Sequence, residues 1–463
     1  MKRYPRSSIF WALLAMSPCS DAFAPAFSSR PQALSTVLHS SNSVSLMEKD
    51  APGHYQTVPD FEEFASILME PETAKLTSNA LESAFEILFE CSKEETVDAA
   101  TRVEQLLQRF EEEGMDKLEN KHYTVAVDCW TKTGHPQAGQ RAEEILNRME
   151  KLSERNPKVA PTRVTFNVVI NAYAKKGDAN GAYSILKRME KTTGVNPVTK
   201  DYNACLVAFS QTGEARKAEE VMKQMVDRCK TSGSSECAPD LYAYNLLLDS
   251  WARSHEPCAG TRALEILEAL ESQAIHGELD LEPDERTYSS VMCSIIRSGQ
   301  PGSATDAQRL FDQALSKGIV PDQYMYAALM DAYASVGDAQ KAESLMNQIE
   351  EEGMANSVTY NTAMKAVRSS NAPDAAERAE AILKRMMEID LADTISFTTT
   401  IAAYANRRDP KSAEKAQELL QSMQDLYEKG NKKVKPNVIT FNAGTYSYEH
   451  CLLNAGLYLF VFF

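Results

Sequence analysis

The stretch VTFNVVINAYAKKG, residues 164–177, decides the fold class of this 463-residue chain. Its apolar residues Phe166, Val169, Ile170 and Tyr173 follow the i, i+3, i+4, i+7 spacing of a helix with one buried face. A glycine closes the stretch, as is common just after a helix. The stretch therefore predicts an amphipathic helix that ends before the glycine.

The same pattern returns along the chain at intervals of 34 to 44 residues. The aromatic residues that open each occurrence are Tyr123, Phe166, Tyr202, Tyr244, Tyr288, Tyr326, Tyr360, Phe397 and Phe441. A second amphipathic segment follows each first one, such as AQKAESLMNQIEEEG at residues 339–353. Neither helix can bury its apolar face alone, whereas stacked pairs bury a continuous core. The sequence predicts an all-α fold, an α-solenoid of stacked antiparallel helix pairs.

Charge is unevenly distributed along the chain. The formal net charge is -16, and residues 60–119 alone hold 17 acidic and 5 basic residues. This balance argues against indiscriminate nucleic-acid binding. The rest of the chain is only mildly acidic, so it leaves room for a local basic face. The nine cysteines are scattered without a C-x-x-C pair or a His/Cys cluster. We therefore expect no metal site, no cofactor and no disulfide framework.

The first fifty residues have the composition of a targeting segment. Basic residues precede the apolar run IFWALLAM at residues 9–16, which is too short to span a bilayer. Residues 1–22 are predicted to be a signal peptide, and residues 23–50, rich in serine, are transit-like. The junction resembles the bipartite plastid-targeting presequence of algae with complex red plastids. We expect a plastid location, with the secretory route or the mitochondrion as alternatives.

Most units end in a proline and a short polar residue directly before the next helix, as in APD (Asp240), EPD (Asp284) and VPD (Asp322). This arrangement resembles the pentatricopeptide repeat family of the pure repeat type, and the repeat region of protein-only ribonuclease P. The resemblance covers residues 120–443 with about eight repeats. We interpret residues 51–119 as an acidic helical cap or divergent repeat, and residues 444–463 as an incomplete or aberrant tail. The resemblance implies a superhelix that binds single-stranded RNA, one base per repeat.

Asparagine repeatedly follows the opening aromatic residue. That position is rotated by about 100° from the packed stripe, so its amide is expected to face a groove and to hydrogen-bond a base edge. In the family, this residue and the last residue of the unit select the base together. The resemblance gives the pairs Thr124/Thr162, Asn167/Val198, Asn203/Asp240, Asn245/Asp284, Ser289/Asp322, Ala327/Asn356, Asn361/Asp393 and Thr398/Asn437. The simpler alternative is that an asparagine here only caps a helix.

By the correspondence of the family, Asn with Asp favours U, Ser with Asp favours G, and Thr with Asn favours A. The implied RNA is 5'-x-x-U-U-G-x-U-A-3', with the first two pairs and Ala327/Asn356 unread because they depart from the pattern. The position two residues before the aromatic residue sandwiches bases in the family. Here the sandwiching residues are Val164, Tyr242, Tyr324, Val358 and Ile395, whereas Lys200 and Arg286 at the same register are candidates for phosphate contacts.

The resemblance implies a monomeric, non-enzymatic protein that recognises single-stranded organellar RNA by sequence and supports its processing, stability or translation. Other RNA-processing proteins are possible partners, and no membrane association is expected. Two alternatives stay open at this point: a protein-binding scaffold of the same architecture, and the RNA-binding part of a truncated nuclease. The polar inserts that precede several unit ends are predicted to be surface loops.

Overall fold

The computed structural model describes residues 95–113, 118–233, 235–275, 281–370, 372–407 and 409–443. All regular structure in these segments is helical. The chain divides into two compact units, Met1–Ala172 and Tyr173–Phe463, which are described one at a time. The predicted presequence, most of the predicted acidic cap and the predicted tail lie outside the described residues.

Seventeen α-helices have both ends within the described segments. They are α1 (Val97–Glu113), α2 (Asn120–Lys132), α3 (Ala138–Ser153), α4 (Arg163–Ala174), α5 (Ala179–Lys191), α6 (Thr199–Thr212), α7 (Ala215–Ser232), α8 (Leu241–Ser254), α9 (Ala259–Ile275), α10 (Glu285–Arg297), α11 (Ser303–Ser316), α12 (Gln323–Val336), α13 (Ala339–Glu351), α14 (Ser357–Ser369), α15 (Ala375–Glu388), α16 (Thr394–Ala405) and α17 (Pro410–Glu428).

In the first unit, α2 packs against both α1 and α3. The Trp130 indole on α2 donates a hydrogen bond to Glu104 on α1 at 3.0 Å. The backbone N–H of Glu119 donates to His122 Nδ1 at 3.0 Å, which closes the start of α2. Burial lowers the pKa of His122 to about 4, so the imidazole is neutral and able to accept this bond at neutral pH. His122 is therefore a packing and capping residue.

In the second unit, first and second helices alternate along the chain. The first helices α6, α8, α10, α12, α14 and α16 contact one another in succession, and each also packs against second helices. The second helices form the other layer, so apolar stripes of both kinds meet in one continuous core. The prediction of an all-α solenoid of antiparallel helix pairs is confirmed.

The opening aromatic residues form the centre of this core. Tyr202, Tyr288, Tyr360 and Phe397 are fully buried. Burying one such side chain contributes about 1.5–3 kcal/mol. Among these residues, the Tyr288 hydroxyl donates a hydrogen bond to Glu271 on α9 at 2.8 Å. The aromatic position therefore holds each first helix against the second helix before it.

Three of the polar inserts lie at the surface as predicted, since most of their described residues are exposed, but they are not irregular. Each forms a short 3-10 turn that buries one side chain. The turns are Pro157–Val159, Ser235–Cys237 and Lys432–Val434, with Val159, Cys237 and Val434 buried. The Thr199 hydroxyl also donates to the Ala238 carbonyl at 2.8 Å, which ties the second insert to the start of α6. A buried side chain and a backbone contact explain why a longer unit still ends in the correct position.

Candidate nucleic-acid interface

The last residue of one repeat is the N-cap of the first helix in the next repeat. Each side chain accepts the backbone N–H three residues further on, at 2.8 to 3.0 Å. The residues that do so are Asp240, Asp284, Asp322, Asn356, Asp393 and Asn437. Such a cap stabilises a helix by about 1 kcal/mol. Capping is therefore one role of the unit-end residue, and the asparagines after the aromatic residues lie inside the helices and are not themselves the caps.

Three asparagines instead donate an amide N–H to the capping aspartate of the following repeat. Asn203 Nδ2 lies 3.2 Å from Asp240 Oδ1, and Asn245 Nδ2 lies 3.1 Å from Asp284 Oδ1. The amide of Asn361 donates to Asp393 in the same way at 2.9 Å. The structure thus brings together the two members of each Asn/Asp pair. Because the carboxylate attracts the N–H side of the amide, it also fixes which way the amide points.

The predicted pairs Thr124/Thr162 and Asn167/Val198 are arranged differently. The hydroxyls of Thr124 and Thr162 are bridged by Thr165, at 2.9 Å and 3.2 Å. Asn167 accepts a hydrogen bond from the amide of Asn171 at 2.9 Å, one turn further along the same helix. This difference agrees with the departure of these pairs from the family pattern.

The other three predicted pairs of the second unit are arranged in other ways. The Thr398 hydroxyl meets the Thr440 hydroxyl at 2.9 Å, and Thr440 donates to Asn437 at 3.0 Å. Ser289 donates to the backbone carbonyl of Arg286, three residues before it, at 3.0 Å. Ala327 is exposed and has no polar side-chain atom to place beside Asn356.

The predicted sandwiching residues are exposed apolar side chains. Between 46% and 74% of each side chain is open to solvent in Val164, Tyr242, Tyr324, Val358 and Ile395. All five lie two residues before the buried aromatic residue of a first helix. Exposed apolar groups therefore recur at one register of successive first helices. We call the four in the second unit, Tyr242, Tyr324, Val358 and Ile395, the apolar ladder.

Arg286 occupies the same register but is already paired. Its guanidinium lies 2.6 Å from Asp249 and 5.9 Å from the ring centroid of Tyr242. Ser290 donates to the other oxygen of Asp249 at 2.6 Å. The structure therefore holds Arg286 beside a carboxylate and over an aromatic ring, where a phosphate contact would first require the ion pair to open.

Sequence reasoning missed one set of residues at this site. Thr165, Thr287 and Thr440 are each the third residue of a first helix, and each hydroxyl contacts the predicted reading side chain of the preceding repeat at 2.7 to 2.9 Å. Their signal is present in TRVT, DERT and NVIT, where a threonine follows a unit-end residue by three positions. That spacing is typical of a capping box, in which the third residue reaches back to the cap.

Within the described segments, no group of three or more His, Cys, Asp or Glu side chains has the geometry of a metal site. None of the helices described above combines the length and the apolar content that a bilayer-spanning segment requires.

Helix pairs repeated every 34 to 44 residues define the class of helical-repeat proteins. Two family models match the chain: the pentacotripeptide-repeat region of PRORP over residues 73–230, and the pentatricopeptide repeat domain over residues 309–368. Both models describe pentatricopeptide repeats, so the chain carries repeats of this family.

Two relatives are chloroplastic pentatricopeptide repeat-containing proteins of Arabidopsis thaliana. One is 31% identical over 107 residues, which cover 23% of this chain and 20% of the relative. The other is 23% identical over 256 residues, which cover 55% of this chain and 25% of the relative. The chain therefore spans a quarter or less of the length of these curated relatives.

Two solved structures of the pentatricopeptide repeat protein PPR10 are also similar. The structure in complex with an 18-nt psaJ RNA element has a TM-score of 0.39 at 18% identity, covering 84% of this chain and 61% of that one. The structure of PPR10 from maize has a TM-score of 0.43 at 18% identity, covering 86% of this chain and 63% of that one.

Proposed function

We propose that this chain binds single-stranded RNA by its bases. The observation that carries the proposal is the apolar ladder together with the Asn/Asp pairs. The asparagines of these pairs lie three residues after the register of the ladder in their first helices. Splayed-out bases need apolar or aromatic surfaces to pack against and polar groups to bond their edges. The ladder supplies the first, and the amides held by Asp240, Asp284 and Asp393 supply the second.

The second unit holds both members of six reading pairs, from Asn203/Asp240 to Thr398/Asn437. By the correspondence of the family they select 5'-U-U-G-x-U-A-3'. The Asn/Asp geometry supports the three uracil positions, since each amide is held by a carboxylate in one orientation. The guanine and adenine positions rest on the correspondence alone.

We further propose that the protein acts in a plastid as a monomer, and that it affects RNA processing, stability or translation by binding, without chemistry of its own. The proposal of a plastid is supported by the composition of residues 1–50 and by the chloroplastic relatives. Other RNA-processing proteins would supply the chemistry.

The test is selection of RNA ligands from a random pool by the purified chain, read by sequencing at physiological salt. We expect enrichment of U-U-G-x-U-A, and loss of that enrichment in an Asn203→Ala/Asn245→Ala double variant. The matched control is Asn180→Ala/Asn347→Ala, which removes two asparagines from second helices and should leave the motif unchanged.

Failure to enrich any RNA, with proteins recovered in its place from a plastid extract, would overturn the proposal and favour a protein-binding scaffold. The same motif in the double variant would show that the asparagines do not select bases. Cleavage of the bound RNA would contradict the proposed absence of chemistry.

A further inference from the structure

The three Asn/Asp pairs are alike on the N–H side of the amide but differ on its oxygen side. The amide oxygens of Asn203 and Asn361 are shielded from solvent and accept no hydrogen bond from any described residue. The amide oxygen of Asn245 accepts a hydrogen bond from the Thr287 hydroxyl at 2.7 Å. Asn203 and Asn245 are otherwise comparable, since 8% and 3% of them are exposed.

The cause of the difference is the third residue of the next first helix. Opposite Asn203 this residue is Ala243, which has no hydroxyl. Opposite Asn361 it is Ser396, whose hydroxyl donates instead to the backbone carbonyl of Asp393 at 2.8 Å. Opposite Asn245 it is Thr287.

The Thr287 hydroxyl has two acceptors within reach, Asn245 Oδ1 at 2.7 Å and Asp284 Oδ1 at 2.8 Å. Asp284 Oδ1 already accepts the backbone N–H of Thr287 at 2.8 Å and the amide of Asn245 at 3.1 Å. Asn245 Oδ1 has no other described donor, whereas Asp284 Oδ1 already accepts these two hydrogen bonds. The proton is therefore best placed on the line to Asn245.

A free amide oxygen and an occupied one differ in what they can recognise. Uracil carries a hydrogen on N3 and offers a donor, whereas N3 of cytosine is an acceptor. A buried acceptor without a partner is unfavourable, and a ligand that supplies an N–H removes that penalty. At Asn245 the protein itself already supplies the donor.

We propose that the third residue of each following first helix sets how strictly an asparagine selects uracil over cytosine. Selection is strict at Asn203 and Asn361, and it is relaxed at Asn245 because Thr287 occupies the amide oxygen. This inference rests on the proposed RNA binding and deepens it. Thr287 acts through Asn245, so it is a positioning residue and does not itself contact the base.

The test uses the purified full chain and short RNAs that contain U-U-G-x-U-A, with one uracil at a time replaced by cytosine. Affinities are measured by fluorescence polarisation. For the unchanged protein, we expect cytosine opposite Asn203 to weaken binding about tenfold more than cytosine opposite Asn245, which corresponds to about 1.4 kcal/mol.

Exchange of the third residues should exchange the two behaviours. Thr287→Val removes the hydroxyl and keeps the shape, so it should raise the preference for uracil opposite Asn245 about tenfold. Ala243→Thr should lower the preference opposite Asn203. Ser396→Ala is the matched control, because that hydroxyl donates elsewhere and its removal should not change selection opposite Asn361.

The outcomes separate this inference from the proposed function. Absence of binding to every RNA would overturn the proposed function and, with it, the inference. Tight binding with equal discrimination at both uracils, unchanged by Thr287→Val, would overturn the inference and leave the proposed function standing. Thermal melting of each variant identifies one that fails to fold, and Thr287→Val and Ala243→Thr test the inference independently of each other.

Discussion

At the residue scale, one carboxylate serves two neighbours at the start of a first helix. Asp240 accepts the backbone N–H of Ala243 at 2.8 Å and the amide of Asn203 at 3.2 Å. The first bond stabilises α8, and the second orients a side chain of the previous unit. A single residue type at the unit end thus links helix stability to the proposed recognition of bases.

We predict that Asp240→Ala lowers the free energy of unfolding by about 1 kcal/mol, because a cap is lost. It should also weaken selection of the base opposite Asn203, because the amide loses its anchor. Asp338→Ala is the matched control: Asp338 caps the second helix α13 by accepting the N–H of Lys341 at 3.1 Å. Chemical denaturation and RNA affinity measure the two effects. Equal loss of RNA selection in both variants would show that the effect comes from stability alone.

At the element scale, the turn after a first helix brings two backbones close together. Gly337 ends α12 at φ +69°, and a Cβ built on it would lie 2.7 Å from the Ser369 carbonyl oxygen at the end of α14. Gly213 has the same relation to the Arg253 carbonyl at the end of α8. A glycine at this position therefore allows successive first helices to pack at their C-terminal ends, in addition to its freedom to adopt a left-handed conformation.

We predict that Gly337→Ala destabilises the protein more than Gly353→Ala. Both glycines have a left-handed φ, +69° and +71°, where a non-glycine residue costs about 1–2 kcal/mol. Only at Gly337 would the added methyl also meet a neighbouring backbone, since nothing lies within 4 Å of the position at Gly353. Thermal denaturation of the two variants measures the difference. Equal destabilisation would mean that α14 shifts to accommodate the methyl group without cost.

At the scale of the whole molecule, the net charge of the protein has the same sign as the charge of the proposed RNA ligand. The chain carries a net charge of -16, yet the members of the apolar ladder are uncharged. Arg286 at the same register is engaged with Asp249. Binding of RNA by this surface would therefore depend on base contacts more than on phosphate contacts.

This leads to a prediction about salt. The affinity for single-stranded nucleic acid falls with log salt at a slope of about -0.7 for each phosphate neutralised. With Arg286 paired to Asp249 and Lys200 exposed at the same register, we expect a slope of about -2 for U-U-G-x-U-A RNA between about 50 and 200 mM salt. Titrations at several salt concentrations provide the measurement. A slope steeper than about -5 would show that phosphate contacts dominate.

The helical fold and the repeat were predictable from sequence because both depend on local patterns. The period of the apolar residues predicts each helix, and the recurrence of Tyr202, Tyr288 and Phe397 predicts the repeat. The 3-10 turns within the polar inserts were not predictable in this way. Their polar composition is typical of loops, and burial of Val159, Cys237 or Val434 depends on the helices that surround each turn.

The sequence by itself determined the helical-repeat class, the helix pairs and the register at which the predicted reading and sandwiching residues recur, because apolar spacing and the repeat period can both be read along the chain. Only the tertiary structure decided which polar atoms remain free. The amide oxygen of Asn245 is occupied by Thr287, 42 residues later, whereas that of Asn203 lies opposite Ala243 and accepts no hydrogen bond from any described residue. Hydrogen bonds between stacked units depend on three-dimensional proximity, and identical Asn/Asp pairs therefore differ in what they can still bind.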